Sequence, residues 1–234
     1  MLAKDADRVL VCFEQAKELL GGGDKIILTG APVRGEILAA DRAKAREKFG
    51  LTDDDQLVVS FWGSMGAKYM NEHMAGELAL ECKNGVPDHS EHIVQSASEL
   101  VSDFDAHPNI EVTEYIYDMA DRMAAADLIV CRAGAATLGE LCMLGRPALL
   151  VPSPYVAENH QEKNARALEK EGGCRVLLEK DANPQVLYDE IQDLLSDRDR
   201  LHRMGHDATK LAAHDASEKI YQEILWAIEN HGKK

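Results

Sequence analysis

Short runs of apolar residues alternate along the chain with longer segments in which apolar residues recur at helical spacing. The short runs, rich in Val, Ile and Leu, predict strands at residues 8–13, 25–29, 56–61, 92–95, 110–115, 128–131, 148–151 and 175–178. The segments between them predict helices at residues 36–49, 68–81, 119–126, 137–144 and 160–171. Such alternation is typical of an α/β fold, a doubly wound parallel sheet covered by helices on both faces.

The two ends of the chain differ from this pattern. Asn183 followed by Pro184 is typical of a helix start, and two further helices are predicted at 197–213 and 217–229. Residues 1–51 hold two predicted strands and one predicted helix, too few for a domain. We interpret residues 1–51 as the remnant of a preceding domain with a linker, and residues 52–234 as the main domain with its C-terminal helices.

Composition and charge exclude several classes of protein. Hydrophobic residues make up 45% of the chain, enough for a substantial core, and the formal net charge of −15 disfavours a nucleic-acid partner. The five scattered cysteines include no CxxC pair, which favours reduced, buried thiols in a cytoplasmic protein. The histidines show no metal-ligand spacing, so no metal site is predicted.

Residues 60–71, SFWGSMGAKYMN, read as a strand, a glycine-containing turn and a helix. Gly63 and Gly66 would allow a tight turn, and the helix amides with the Ser64 hydroxyl could bind an anion. An ordinary turn without a ligand is the alternative. The segment lacks the GK[ST] ending of a Walker loop, and the chain lacks the G-x-G-x-x-G dinucleotide fingerprint.

Residues 128–147 repeat this design, with a buried strand, a loop at Arg132 and a helix that opens through small residues. Glu140 lies about one turn inside that helix and could accept hydrogen bonds from a ribose diol, although a lone helix glutamate is usually only solvated. Both loops follow strands of the predicted sheet. Ligands of such sheets bind outside the carboxyl ends of the strands, so we expect the two loops to form one site.

A third polar cluster opens the predicted helix at 160–171. His160, Gln161 and Asn164 lie within its first turns and could donate hydrogen bonds to sugar hydroxyls. Taken alone, His160 is more typical of a helix cap or a surface residue.

Four segments, TGAPVR (29–34), FWGSMGA (61–67), 115–141 and 145–165, occur in the order and spacing of a known family. The chain resembles the bacterial N-acetylglucosamine transferases that make lipid II, the MurG family. The resemblance covers nearly the whole chain. It implies the Rossmann-like C-terminal half of a GT-B fold, and an inverting transfer of N-acetylglucosamine from UDP-N-acetylglucosamine to a lipid-linked N-acetylmuramyl pentapeptide, with no cofactor.

The resemblance also implies roles for individual residues. Arg34 and Ser64 would face the donor diphosphate, and Ile116 would offer backbone groups to uracil. Gln161, helped by His160 and Asn164, would recognise the sugar hydroxyls. The helix residues implied to line the nucleotide, with Glu140 on the ribose, are Ala135, Ala136, Thr137, Leu138, Gly139 and Glu140.

This chain departs from the family pattern in two places. Trp62 and Met65 stand where the family often has Gly and Gln, which leaves the details of the phosphate loop open. The Gly-rich GTGGH-type loop of the family's N-terminal domain does not occur. That domain supplies the acceptor site, the membrane contact and the expected base, so we predict no catalytic residue within these 234 residues.

We therefore interpret the chain as the donor-binding half of a cytoplasmic enzyme whose full-length form is peripheral on the inner face of the plasma membrane. Two alternatives remain: a nucleotide-sugar-binding subunit of a split transferase, and a UDP-N-acetylglucosamine epimerase of the same fold. Apolar residues near both ends would lose the cover of the other domain. We expect segments 1–29 and 217–234 to pack on each other, to be mobile or to mediate self-association.

Overall fold

The structure is a computed structural model that describes residues 6–63, 67–85, 90–95, 104 and 107–231. It confirms the predicted strands, because each apolar run contains one. The strands are β1 (Val9–Val11), β2 (Ile26–Leu28), β3 (Gln56–Phe61), β4 (Ser90–Gln95), β5 (Ile110–Thr113), β6 (Leu128–Cys131), β7 (Ala148–Leu150) and β8 (Cys174–Val176).

The predicted helices are confirmed with small shifts of their ends. The helices are α1 (Glu14–Leu19), α2 (Gly35–Ala39), α3 (Arg42–Lys48), α4 (Lys68–Asn84), α5 (Met119–Ala125), α6 (Ala135–Leu144), α7 (His160–Lys170), α8 (Pro184–Leu195), α9 (Arg198–Ala208) and α10 (Ala216–Asn230). Short 3-10 turns lie at Ala157–Asn159, Glu179–Asp181 and Thr209–Leu211. Within the described parts of the chain, every helix is too short or too polar to cross a bilayer.

Two details of the helix prediction were wrong. The segment predicted as one helix at 36–49 forms two, because the chain is extended at Ala40 and the Asp41 carboxylate then caps α3 by accepting the Lys44 N–H at 2.9 Å. Helix α1 was not predicted. It has only six residues, which is too few for a helical period to stand out.

Strands β3 to β8 form one parallel sheet in the order β5-β4-β3-β6-β7-β8, and β1 pairs with β2 in a separate parallel ribbon. Counted from β3, the order is 3-2-1-4-5-6, the doubly wound arrangement of Rossmann-like domains. The predicted α/β fold class is therefore confirmed. The order reverses between β3 and β6, and the carboxyl ends of all six strands meet at one edge of the sheet.

The core lies on both faces of this sheet. Alternation along β3 sends Leu57 and Val59 into one apolar layer and Val58 into the other, and all three side chains are almost fully buried. Ile37 of α2 and Ala45 of α3 belong to the first layer. These two helices, which precede residue 52, therefore pack against the main sheet, while the domain boundary at 51/52 stays a prediction.

The two ends of the chain pack on each other. The Arg8 guanidinium lies 3.4 Å from the centre of the Trp226 ring and pairs with the Glu223 carboxylate at 2.8 Å. This contact is the first of the three outcomes expected for the terminal segments. Ile224 and Ile228 of α10 remain at least half exposed, and self-association stays a prediction.

All five cysteines are free thiols. Cys131, Cys142 and Cys174 are buried, whereas Cys12 and Cys82 are partly exposed. Burial raises the pKa of Cys142 to about 12 and raises the pKa of Cys131 and Cys174 far above the ordinary thiol value. The three buried thiols are therefore uncharged and unreactive in the folded chain, which agrees with the interpretation of the cysteines as reduced core residues.

Candidate functional site

The loops after β3 and β6 meet where the strand order reverses. Gly63, the second residue after β3, has a φ of +87°, which favours glycine. The conformational freedom that Trp62 lacks is therefore provided by Gly63. Trp62 is buried in the second apolar layer, where it serves packing. Ser64 lies outside the described residues, and its predicted role at the diphosphate stays a prediction.

Helix α6 begins with its first amides available. Its N-cap is Gly134, which has no side chain to cap the helix. The Leu138 N–H closes the first helical turn by donating to the Gly134 carbonyl at 3.0 Å. The amides of Ala135, Ala136 and Thr137 therefore precede the helical hydrogen bonds. None of these three residues is buried. Together with the helix dipole, they form a site suited to an anion.

The next residues of α6 hold the helix in place. The Leu138 side chain is fully buried in the core. A Cβ on Gly139 would lie 3.0 Å from the Ala31 Cβ, so the absence of a side chain allows the segment before α2 to approach the helix. Leu138 and Gly139, both predicted to line the nucleotide, can therefore contribute only backbone atoms.

Arg34 and Glu140, which lie 106 positions apart in the chain, form a bidentate ion pair. The distances are 2.7 Å from Nε to Oε1 and 3.1 Å from Nη2 to Oε2. Glu140 is 8% exposed, whereas about half of the Arg34 side chain is accessible. The hydrogen bond to Glu140 is the largest influence raising the pKa of Arg34, and Tyr115 adds to it. The sequence placed both residues at the nucleotide but did not predict their pairing.

Ile116 lies in the loop between β5 and α5, next in sequence to Tyr115, whose charge influences Arg34. Its side chain is buried, and within the described residues neither its N–H nor its carbonyl has a hydrogen-bond partner. The exposed rings of Tyr115 and Tyr117 flank it, edge to face, with centroids 4.9 Å apart. The predicted role of the Ile116 backbone at uracil stays a prediction.

The backbone is strained just before α7. Glu158 and Asn159 have φ values of 54° and 50°, a region that residues other than glycine seldom adopt. His160 follows, and its Nδ1 lies 2.9 Å from the Ala157 carbonyl. Strain of this kind tends to concentrate at binding sites, which supports a functional interpretation of this turn.

Two amides tie the start of α7 to neighbouring loops. The Ser153 N–H donates to Gln161 Oε1 at 2.9 Å, and Asn164 Nδ2 donates to the Ala133 carbonyl at 3.3 Å. The structure therefore places Asn164 against the loop that leads into α6 and Gln161 against the loop that follows β7. The Gln161 amide nitrogen and the Asn164 carbonyl oxygen remain available for a ligand. A cavity of about 420 Å³ beside them is lined by His160, Asn164 and apolar residues of α1.

Arg132 was not predicted as a site residue. It pairs with Glu179 at 2.5 Å and donates to the Val151 carbonyl at 3.0 Å. Its guanidinium lies 5.7 Å from the Trp62 ring, so Arg132 connects the ends of β3, β6 and β7. The sequence feature that could have identified Arg132 is its position, a cationic residue directly after a fully apolar strand. The described residues contain no cluster of His, Cys, Asp or Glu able to hold a metal ion.

The strand order and the polar groups at its reversal point define an α/β domain of the GT-B glycosyltransferase type. Residues 57–220 match the model of the glycosyltransferase family 28 C-terminal domain. The chain belongs to this family, which agrees with the resemblance seen in the sequence.

Individual relatives are consistent with this assignment. The UDP-N-acetylglucosamine–N-acetylmuramyl-(pentapeptide) pyrophosphoryl-undecaprenol N-acetylglucosamine transferase of Acetivibrio thermocellus is 42% identical over 239 residues, covering 98% of this chain and 63% of that protein. Acinetobacter baumannii MurG has a TM-score of 0.68 at 26% identity, covering 94% of this chain and 65% of that one. An S. aureus MnaA–UDP co-structure has a TM-score of 0.71 at 16% identity, covering 96% and 61%, and shows a shared fold. The chain spans just under two thirds of the length of the curated relatives it matches.

Proposed function

We propose that this chain is the donor-binding part of a transferase that moves N-acetylglucosamine from UDP-N-acetylglucosamine to a lipid-linked N-acetylmuramyl pentapeptide. The observation that carries the proposal is the uncapped start of α6 beside the Arg34–Glu140 pair, at the reversal point of the sheet. The transferase named for the A. thermocellus relative supports the choice of donor and acceptor. The UDP named for the S. aureus neighbour is consistent with a uridine nucleotide as the ligand.

The donor diphosphate binds at the amides of Ala135, Ala136 and Thr137. In the transfer step, negative charge grows on the diphosphate as it leaves the sugar. Fixed amide dipoles and a nearby guanidinium offset that charge without reorganising, which lowers the barrier. Uracil takes the backbone groups of Ile116, which have no other partner among the described residues.

Arg34 and Glu140 serve the donor while they remain paired. The pair uses two of the five N–H donors of Arg34, which leaves three for phosphate oxygens. The Glu140 carboxylate keeps lone pairs for two ribose hydroxyls. The ion pair thus fixes both groups in advance of binding, and preorganisation of this kind reduces the entropic cost of association.

The start of α7 recognises the sugar. Asn164 lies against the loop before α6 and Gln161 against the loop after β7, so both side chains are close enough to reach the sugar that is attached to a diphosphate bound at α6, with His160 beside them. A site that hydrogen-bonds a substituent rejects a donor lacking it, since its own polar groups are left unpaired. We expect selectivity for N-acetylglucosamine over glucose.

Calorimetry with three donors tests this function. UDP-N-acetylglucosamine should bind more tightly than UDP-glucose, and GDP-mannose should not bind at the same concentration. The Gln161→Ala variant should narrow the difference between the two UDP-sugars, while the matched variant Gln185→Ala, in an exposed helix start away from the site, should not. Equal affinity for all three donors would contradict the proposal.

The acceptor reaction is expected to need more than these residues. The family resemblance assigns the acceptor site, the base and the contact with the inner face of the plasma membrane to the family's other domain. The purified chain should therefore bind the donor without transferring N-acetylglucosamine to a lipid acceptor analogue. NMR of UDP-N-acetylglucosamine incubated with the chain distinguishes the epimerase alternative, which would invert a ring centre.

A further inference from the structure

A second cavity lies at the opposite, amino-terminal edge of the sheet. Its volume is about 530 Å³, within the range of small-molecule sites, and it is bordered by the residues that begin β3 and precede β6 and β7. Its charged lining comprises four arginines and two aspartates, a local excess of two positive charges in a chain of net charge −15. The charged residues are Arg42, Arg46, Arg146, Arg198, Asp53 and Asp127.

Two of the arginines already donate hydrogen bonds to a carboxylate and to backbone carbonyls of the protein. Arg42 donates to carbonyls at the end of α5 and to Asp127 Oδ1 at 2.6 Å. Arg46 donates to Asp127 Oδ2 at 2.9 Å and to the carbonyls of Thr52 and Asp55. These contacts attach α3 to the sheet. Asp127 is therefore already shared between two guanidinium groups.

The other two arginines have no carboxylate partner among the described residues. Arg146 donates to the Leu144 carbonyl at 3.0 Å and makes a long contact of 3.5 Å to the Ala126 carbonyl. Arg198 donates to the backbone carbonyls of Asp53 and Asp54. The pKa of Arg146 is lowered to about 10, mainly by burial, and the lowering by the charges of Arg42 and Arg46 exceeds the raising by Asp127. A cation in such surroundings destabilises the fold unless a further anion is present.

We propose that this cavity binds a multivalent phosphate-class anion through Arg146 and Arg198. Guanidinium groups match phosphate oxygens in bidentate geometry, and the carbonyl contacts of both arginines leave several N–H donors unused. His202 and His206 of α9 also line the cavity and add donors. The anion balances the excess positive charge of the lining, which Asp53 and Asp127 offset only in part.

The cavity is separate from the Arg34–Glu140 site. β3 has six residues, so its two ends are roughly 15–20 Å apart at about 3.3 Å per residue. The Arg34–Glu140 site lies at the carboxyl ends of the strands, and the cavity lies at the amino ends. One ligand of diphosphate size cannot bridge the two.

The test is calorimetry of the full chain with inorganic pyrophosphate at constant ionic strength, fitted to two sites because the donor-diphosphate site can also bind pyrophosphate. Arg146→Met should weaken binding at the cavity about tenfold or more, and Arg198→Gln should weaken it several-fold. Arg200→Gln is the matched control, because Arg200 lies on the same helix, pairs with Asp193 and is not part of the lining. It should bind as the parent does. Arg198 makes only surface contacts, so we expect Arg198→Gln to fold. That variant tests the proposal if Arg146→Met does not fold.

The Arg34→Met variant separates this proposal from the proposed function. If pyrophosphate binding is lost in Arg34→Met and kept in Arg146→Met, the anion uses the nucleotide site and the cavity proposal is overturned, while the proposed function stands. If the parent binds neither pyrophosphate nor phosphatidic acid vesicles, the proposal is also overturned. Vesicle binding that depends on Arg146 would assign the phosphate to a lipid headgroup, and pyrophosphate binding without vesicle binding would assign it to a soluble ligand.

Discussion

The two edges of the sheet treat their polar groups in opposite ways. At the amino-terminal edge, Asp127 accepts hydrogen bonds from Arg42, Arg46 and the Leu57 N–H. At the carboxyl-terminal edge, α6 begins without a side-chain cap, and the Ile116 backbone has no partner among the described residues. The Asp127 cluster therefore mainly stabilises the fold, whereas the start of α6 and Ile116 leave backbone donors and acceptors unpaired among the described residues.

The strongest way to break this comparison is Asp127→Ala. The substitution leaves two guanidinium groups and a backbone amide without their acceptor, and we expect the free energy of unfolding to fall by about 3–5 kcal/mol. Urea denaturation measures it. Asp193→Ala removes the carboxylate of the exposed pair with Arg200 and should change stability by no more than about 0.5 kcal/mol. A loss below about 1 kcal/mol for Asp127→Ala would show that the amino-terminal edge is not the stabilising one.

Glu140→Ala removes the carboxylate of a bidentate ion pair at the carboxyl-terminal edge. We expect it to weaken ligand binding more than it lowers stability. UDP binding should weaken by about 1–3 kcal/mol, because the ribose hydroxyls lose a charged acceptor. The free energy of unfolding should change by less than about 1 kcal/mol, since the half-exposed Arg34 can be solvated by water. Calorimetry and urea denaturation of the same preparation measure the two quantities. Unchanged UDP affinity would remove Glu140 from the ribose site.

Gly134→Asp should separate stability from binding. The extended backbone at Gly134 suits a capping aspartate, and the nearest atom to a new Cβ would be the Thr137 hydroxyl at 3.9 Å. The carboxylate would occupy the helix amides, raising stability by a few tenths of a kcal/mol and weakening UDP binding tenfold or more. Asn183→Ala removes the existing cap of α8 as a control, and it should cost about 1 kcal/mol of stability without affecting UDP.

The smallest expected effect is the pH dependence of Asp118, at the start of α5. Burial alone would raise the pKa of Asp118, but the hydrogen bond and charge of Arg122 lower it below the ordinary value. A lowered carboxyl pKa stabilises the fold above the unfolded value near 4, and that contribution is lost as the pH falls through the folded value. Asp118→Asn should therefore cost less than about 1 kcal/mol at pH 7, and the difference should shrink below about pH 4. A constant difference across that range would contradict the assignment.

Strand positions could be predicted from the sequence because buried parallel strands need continuous apolar runs, such as 128–130 and 148–151. The opening of α6 could be predicted because small residues follow such a run. The local sequence pattern did not predict the break at Ala40, because the apolar residues keep helical spacing across it while Asp41 caps a new helix. It also misses α1, whose six residues give too short a period.

The site was predicted less completely than the fold. The family resemblance gave Arg34 and Glu140 separate roles, but their pairing depends on how the segment before α2 packs against α6, where Gly139 faces Ala31. Arg132 was missed because its partner Glu179 is distant in sequence. Arg146 has no carboxylate partner among the described residues. No sequence motif could predict this, because the lining of the cavity is assembled from distant segments of the chain.

The three buried thiols provide a built-in measure of how the domain opens. Cys131 ends β6, Cys142 lies in α6 and Cys174 begins β8, and all three belong to one apolar layer, so an alkylating reagent reaches them only when that part of the core opens. Cys12 and Cys82 are partly accessible and report local fluctuation instead. A ligand that binds only the folded domain slows labelling of all three buried thiols by one common factor, set by its concentration and dissociation constant. Labelling rates of the unaltered chain therefore measure ligand affinity and unfolding free energy on the same scale.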